Sequence, residues 1–305
     1  MTPAYVLITA AYNEEQFLPL TIESIVSQSV LPQRWVIVSD ASTDRTDEIV
    51  QEHAARHSFI RLLRITEPHP RNFAAQVHAI NLGCASLDDC QYDFIGNIDA
   101  DVSFGPDYFA TLLQRFEANP RLGLAGGVTQ EQDGTVASAP RGEALQSVPH
   151  ALQLFRRRCF EDIGGYPALP YGGPDTYAEV TARMKGWRVA GFEDLVAQHH
   201  RYTASAGGQL RGRFRQGLME SSLGYNPVFE MVKCVRRLRE KPAWVGAAAR
   251  LAGFCWAQMS RRPAVSEEFM HYLRREQKRR VRRYFRNFLS RTTNSVPTDI
   301  AVNRS

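Results

Sequence analysis

Apolar runs of strand length alternate with segments of helical period through the first half of the chain. That alternation predicts βαβ units around a mostly parallel sheet, because a strand buried on both faces is apolar throughout while a helix covering it is apolar on one side only. Tyr5–Thr9 is the first predicted strand. In the segment Glu15–Gln28, Leu18, Ile22, Ile25 and Val26 share one helical face, and Pro32 bars continuation. Trp35–Val38 then reads as a strand, Thr46–Arg56 as a helix, Ile60–Ile65 as a strand, Ala74–Cys84 as a helix and Phe94–Ile98 as a short buried strand. Polar and acidic residues gather just past the strand ends, at 12–14, 40–42 and 99–101. In open α/β sheets that edge binds ligands.

Beyond this half the pattern loosens. Gly126–Pro149 is rich in Gly, Ser, Pro, Gln and Glu and reads as an irregular connection, and Gly164–Pro174 is a second Gly/Pro-rich stretch that ends on Asp175. A helix is expected over Thr176–Lys185, and short strands over Trp187–Ala190 and Leu195–Ala197. After Gly224 the chain turns to Arg-rich amphipathic helix. The expected organisation is a catalytic domain over 1–226, split into halves 1–128 and 129–226, a basic helical extension over 227–291, and a loose tail over 292–305.

Charge sharpens this division. The net charge of +5 conceals 17 Lys/Arg against 4 Asp/Glu between Lys233 and Arg291, so the remainder is acidic. Five scattered cysteines with no C-x-x-C pair give no zinc spacing and suit a reducing compartment. The start of the chain shows no secretory pattern and no stretch is apolar enough to span a bilayer, since Arg250 interrupts the nearest candidate. A cytoplasmic chain is expected. Zinc fingers, RNP-like aromatic strands and recognition helices are lacking, so nucleic acid is not an expected partner.

The sharpest chemical feature is Asn97-Ile98-Asp99-Ala100-Asp101. Two carboxylates one residue apart after a buried strand can aim oxygen ligands at a hard cation, Mn²⁺ or Mg²⁺, that also holds a diphosphate. A solvated surface turn is the plainer reading of such a pair taken alone.

Around that pair, the order of motifs resembles the family 2 glycosyltransferases of the GT-A fold. Thr9-Ala10-Ala11-Tyr12-Asn13-Glu14-Glu15 is similar to the family's first strand and nucleotide loop, with Ala10 where Pro is usual. Val38 to Thr46 is similar to its D-D-G-S-T-D-x-T segment, with Ser39 and Ala41 as departures. Arg71 to Gly83 resembles the basic stretch before the metal site, and Gly172-Gly173-Pro174-Asp175 the acceptor-side G-G-x-D, with Pro174 where Glu is common. The resemblance covers about residues 4 to 226. It implies donor binding by Ala10, Tyr12, Glu14, Asp40, Arg71 and Asp99, with Asp40 reading the base of a UDP-sugar. Asp99 and Asp101 would hold the metal, joined by His199 or His200. Asp175 would be the base that deprotonates an acceptor hydroxyl for inverting transfer, with Glu179 the runner-up. Arg211 and Arg215 are candidates for diphosphate or acceptor contact. Helix capping by Asp40 or Asp175, and a solvated helix face for Glu179, are the structural alternatives.

The implied function is sugar transfer to a glycan or lipid-linked acceptor in polysaccharide biosynthesis. A catalytically silent scaffold of the same fold and a sugar-1-phosphate nucleotidyltransferase are the rivals, the latter disfavoured because Tyr12-Asn13-Glu14-Glu15 offers no glycine. On the last helix, Phe269, Leu273, Val281, Tyr284, Phe285 and Phe288 form an apolar stripe bounded by arginines, the pattern of peripheral attachment to an anionic membrane, with Trp244–Met259 beside it as a second interfacial helix. Oligomeric state is left open.

Overall fold

The computed structural model describes residues 3–67, 73–131, 134, 147–201, 208–238, 242–260 and 263–293. Arg71 lies outside the described residues, as do most of the 132–146 stretch, the tail from 294 and the side chain of Phe288. The chain divides into two compact units, Met1–Gly208 and Gln209–Ser305.

The first unit is built on an eight-stranded sheet ordered β3-β2-β1-β4-β7-β6-β8-β5. Its strands are β1 (Tyr5–Ala11), β2 (Arg34–Asp40), β3 (Ile60–Ile65), β4 (Phe94–Ile98), β5 (Val102–Phe104), β6 (Leu122–Glu131), β7 (Leu152–Arg156) and β8 (Arg188–His199). Strands β3, β2, β1 and β4 run parallel, and every residue of β4 and nearly all of β1 and β2 are buried, which is why these strands read as unbroken apolar runs. The direction then reverses. β7 is antiparallel to both β4 and β6, β6 is parallel to β8, and β5 pairs antiparallel with β8.

Helices α1 (Leu18–Val26), α2 (Thr46–Arg56), α3 (Phe73–Ala85), α4 (Tyr108–Ala118), α5 (Arg157–Ile163) and α6 (Pro174–Met184) flank the sheet. α3 packs on β1 and β2, α2 on β3, and α4 and α6 on β6 and β8. The parallel half matches the periodicity closely; β5, β7, α4 and α5 are additions to it, although in α4 Tyr108, Phe109, Leu112, Leu113 and Phe116 share one helical face.

Gly126–Glu131 corrects the expectation of a loop, since it is the end of the buried strand β6. Gly126 and Gly127 are there for packing: a Cβ at 126 would lie 2.2 Å from the Leu152 carbonyl oxygen, and one at 127 would lie 2.0 Å from that of Leu195. Glycine here marks close backbone approach inside a sheet, a meaning that local composition cannot separate from a turn.

The second unit comprises α7 (Gln209–Ser222), α8 (Pro227–Arg236), α9 (Val245–Ser260) and α10 (Glu267–Thr293). Asn226 caps α8 by accepting from the Val228 and Phe229 amides, with Pro227 in the first turn. The centre of the unit is charged. Arg250 is 1% exposed and donates to Glu220 at 2.9 Å and Glu230 at 2.8 Å, while Lys233 also pairs with Glu220. Phe269 and Leu273, assigned by their pattern to an exposed stripe, are buried instead, because α10 packs its first half inside this unit. In α9 the arginine that interrupts the apolar run is the buried hub of the ion network.

Candidate active site

The functional residues of the first unit gather where strand ends meet. Asp40 closes β2 and is 4% exposed. It is not the cap of α2, since Asp44 accepts from the Thr46 amide at 3.0 Å. Asn13 ties the loop after β1 to the loop after β2, its side-chain oxygen accepting from the Thr43 amide at 2.8 Å. Asn13 and Ala41 both take left-handed backbone conformations, with φ of 53° and 55°. Ala10 pairs in register with Val38, and Tyr12 stands exposed just beyond β1.

The acidic turn lies between β4 and β5. The Thr21 hydroxyl of α1 donates to the Ala100 carbonyl at 2.8 Å and the His200 amide donates to the Asp101 carbonyl at 2.9 Å, so the turn is held from two sides. Asp99 receives the Gln76 amide at 3.3 Å on the same oxygen that lies 3.7 Å from Nδ1 of His150. Asp101 accepts from Nε of Arg201 at 3.1 Å and lies 3.6 Å from Nε2 of His199, again through a single oxygen. Burial alone would raise Asp101, but His199 and Arg201 hold it below the ordinary carboxylate range. Arg201 also pairs with Glu14. Burial pushes Glu14 up to about 7, opposed by Arg201 and helped by the charges of Asp101 and Asp99.

The two histidines part company. His199 sits between Asp101 and Glu131, 3.3 Å from the latter, and its hydrogen bond to Asp101 raises it to about 9 against burial. It is an imidazolium at neutral pH, so serving as a metal ligand would require loss of that proton. The His200 ring turns to the Ser103 hydroxyl at 2.9 Å and stacks on Phe17.

Asp175 lies in the first turn of α6, half-buried, and accepts from the Thr176 amide at 2.7 Å. Glu179, one turn on, is 6% exposed and accepts from the Val148 amide at 2.7 Å and the Ser147 hydroxyl at 2.9 Å. Its side chain faces inward, not onto a solvated helix face. Burial and the neighbouring Asp175 push it up to about 8.

His150 lies beside the acidic turn, its Nδ1 3.7 Å from Asp99. Because β7 runs against β4, the segment leading into it arrives beside the end of β4, where Asn97 donates to the His150 carbonyl at 2.8 Å. Burial opposes protonation of the ring, yet Asp99, with Asp175 adding to it, leaves its pKa raised. The ring of Tyr166 lies 5.2 Å away, its hydroxyl donating to Gln153 at 2.6 Å. Sequence reasoning missed His150, which nothing in its neighbourhood marks. Arg201 had a signal, its place directly after the histidine pair. Arg211 and Arg215 are exposed on α7 of the second unit.

Among the described residues no three His, Cys, Asp or Glu side chains form a group that could hold a metal ion by itself. Asp99 and Asp101 nevertheless each keep one carboxylate oxygen with no partner among the described residues. Two hard oxygens suit a cation that draws its other ligands from phosphate and water.

A family model described as glycosyl transferase family 2 matches residues 6–167. The chain belongs to glycosyl transferase family 2. Over 176 residues it is 23% identical to a poly-beta-1,6-N-acetyl-D-glucosamine synthase of Staphylococcus epidermidis, a stretch covering 52% of this chain and 40% of that one. Over 177 residues it is 28% identical to the O-antigen biosynthesis protein RfbC of Myxococcus xanthus, covering 53% of this chain and 13% of the other. The chain thus spans less than half the length of these curated relatives. Among solved structures, the mannosyltransferase PcManGT from Pyrobaculum calidifontis in complex with GDP-Man and Mn²⁺ superposes with a TM-score of 0.57 at 20% identity, covering 95% of this chain and 84% of that one. S. aureus TarS 1-349 in complex with UDP-GlcNAc gives 0.54 at 14% identity, covering 88% and 78%. These likenesses establish the GT-A fold. The family 2 match takes in Asp40, Asp99, Asp101 and His150; Asp175, Glu179, His199 and Arg201 lie beyond it, and of these His199 and Arg201 contact Asp101.

Proposed function

We propose that this family 2 chain is an inverting, metal-dependent glycosyltransferase. It moves a sugar from a nucleotide diphosphate donor, a UDP-sugar, to a glycan or lipid-linked acceptor in polysaccharide biosynthesis. The observation that carries the reading is the acidic turn itself, where Asp99 lies 3.7 Å from His150 and Asp101 is held by Arg201 at 3.1 Å and His199 at 3.6 Å, one oxygen of each carboxylate being left without a partner among the described residues. The names of the relatives support the polysaccharide setting, and transferases of this fold generally use a divalent metal.

Asp40, buried at the end of β2, would accept from the N–H of a uracil ring. Tyr12 and Glu14 would border the nucleoside, and Arg71 would pair with the diphosphate. Asp99 and Asp101 would hold Mn²⁺ or Mg²⁺ through their unpartnered oxygens. Such a cation supplies neutralisation of the charge that grows on the departing diphosphate. Arg201, already shared by Glu14 and Asp101, lies within reach of the same charge. Asp175 would take the proton of the acceptor hydroxyl as it attacks the anomeric carbon from the face opposite the leaving group. Its carboxylate is anchored by the Thr176 amide and flanked by Glu179, which is protonated over much of the neutral range. Glu179 would therefore hold the 147–148 segment in place beside the base.

The test is nucleotide release from UDP-sugars by wild type and Asp101→Asn, with and without Mn²⁺. Metal-dependent release in the wild type that collapses in the variant supports the reading. Release that ignores the metal, or survives Asp101→Asn unchanged, sinks it.

A further inference from the structure

The second unit presents an apolar surface that its own packing does not explain. Val228, Met231 and Val235 follow one another at helical spacing on α8 and are 61%, 57% and 60% exposed. A soluble helix of ten residues usually turns such a row inward; here Glu230 and Cys234 face the interior instead, drawn to the buried Arg250 network. Beside the row runs a groove of about 250 Å³ between α8 and α10, lined by Asn226, Val228, Phe229, Lys278, Val281 and Arg282, with no acidic side chain among them. At its far end the Arg236 guanidinium lies 5.0 Å from the centre of the Tyr284 ring, next to the half-exposed Phe285. Aliphatic side chains thus project from a surface rimmed by Arg236, Lys278 and Arg282.

We infer that the α8–α10 face of the second unit docks on an anionic bilayer surface, with Val228, Met231 and Val235 entering the headgroup boundary and the basic rim meeting lipid phosphates. Charge selects this occupant. A second copy docked through the same face would set Lys278 and Arg282 against their own counterparts, which repel. Anionic headgroups complement the rim, and exposed valine and methionine gain by leaving water. No helix among the described residues is long and apolar enough to cross a membrane, so the contact is peripheral. The structure relocates the contact from where periodicity alone places it: Phe269 and Leu273 of α10 are buried, and α8 supplies the apolar row. The inference stands on the second unit alone and holds whatever reaction the first unit performs.

Co-sedimentation of the full chain with vesicles tests it. Wild type is expected to bind phosphatidylcholine vesicles containing about 30 mol% phosphatidylglycerol, to leave pure phosphatidylcholine vesicles unbound, and to be released by salt. Val228→Gln, Met231→Gln and Val235→Gln together should lower partitioning at least about tenfold with an unchanged melting curve, since glutamine suits an exposed helix at least as well as valine. Lys278→Glu with Arg282→Glu should do the same. Leu20→Gln with Leu31→Gln, exposed in the first unit, should not. Equal binding to neutral vesicles, no binding to either, undiminished binding by the triple variant, or an equal loss in the Leu20/Leu31 control each overturns the inference. So does a concentration-dependent dimer that the triple variant abolishes.

Discussion

Both units contain a knot of carboxylates and cations, and the two knots are tied differently. In the second unit Glu220, Glu230 and Arg250 are at most 1% exposed, and Arg250 meets both carboxylates. Burial works against Glu220, but Lys233 and Arg250 hold it below the ordinary range, while burial and the charge of Glu220 push Glu230 up. In the first unit Glu14 and Asp99 are partly exposed and Asp101 is 7% exposed, and among the described residues Asp99 and Asp101 each keep one carboxylate oxygen without a partner. Nearly complete pairing under burial specifies an arrangement of helices; incomplete pairing at an opening leaves coordination to be completed by something else. The same side-chain chemistry serves packing in one place and, on the function proposed above, ligand binding in the other.

Arg250→Met should break the contrast most strongly. It strands two buried carboxylates, and chemical denaturation should show a loss of about 3–5 kcal/mol. Asp101→Asn should weigh chiefly on the reaction, lowering nucleotide release by about 10²–10³ while costing less stability than Arg250→Met, although its pairing with His199 and Arg201 is lost. His150→Gln, which removes the ring beside Asp99, should reduce kcat by about 10- to 100-fold with little change in KM for the donor.

Glu179→Gln sharpens the comparison through pH. The folded state holds the Glu179 proton up to about 8, where an unfolded chain releases it near 4.5, so the wild type loses stability as pH rises through that window. The variant should show a flatter stability curve between those values. The smallest effect is expected at Ala41, whose φ of 55° burdens its Cβ. Ala41→Gly should raise stability by up to about 1 kcal/mol, and this is the position where the family pattern carries glycine.

In the parallel half β1, β2 and β4 were legible because they are buried on both faces, and the helix Thr46–Arg56 and the edge strand Ile60–Ile65 also lie where periodicity places them. Glu14, Asp40, Asp99 and Asp101 were legible with them, since each lies at or just past the end of a recognisable strand; Asp175 was marked by the Gly/Pro-rich stretch that it closes. β6 was hidden by a glycine pair that serves close packing, and β5 by its three-residue length. His150 was hidden by something more general. Its meeting with Asp99 depends on the direction in which β7 is laid beside β4, which no local pattern encodes. The burial of Phe269 and exposure of Val228 depend likewise on which partner each helix finds.

The register across that reversed strand sets Leu152 opposite Ile98. Had β7 been laid parallel, its preceding loop would open at the other rim of the sheet, roughly 15 Å away for a strand of this length. Turning one strand around therefore lets a distant stretch of chain deliver side chains to the same rim as the donor loops. That stretch can be lengthened or exchanged over generations while the four parallel strands stay as they are, a division of labour through which one scaffold can diversify what it accepts without altering what it gives.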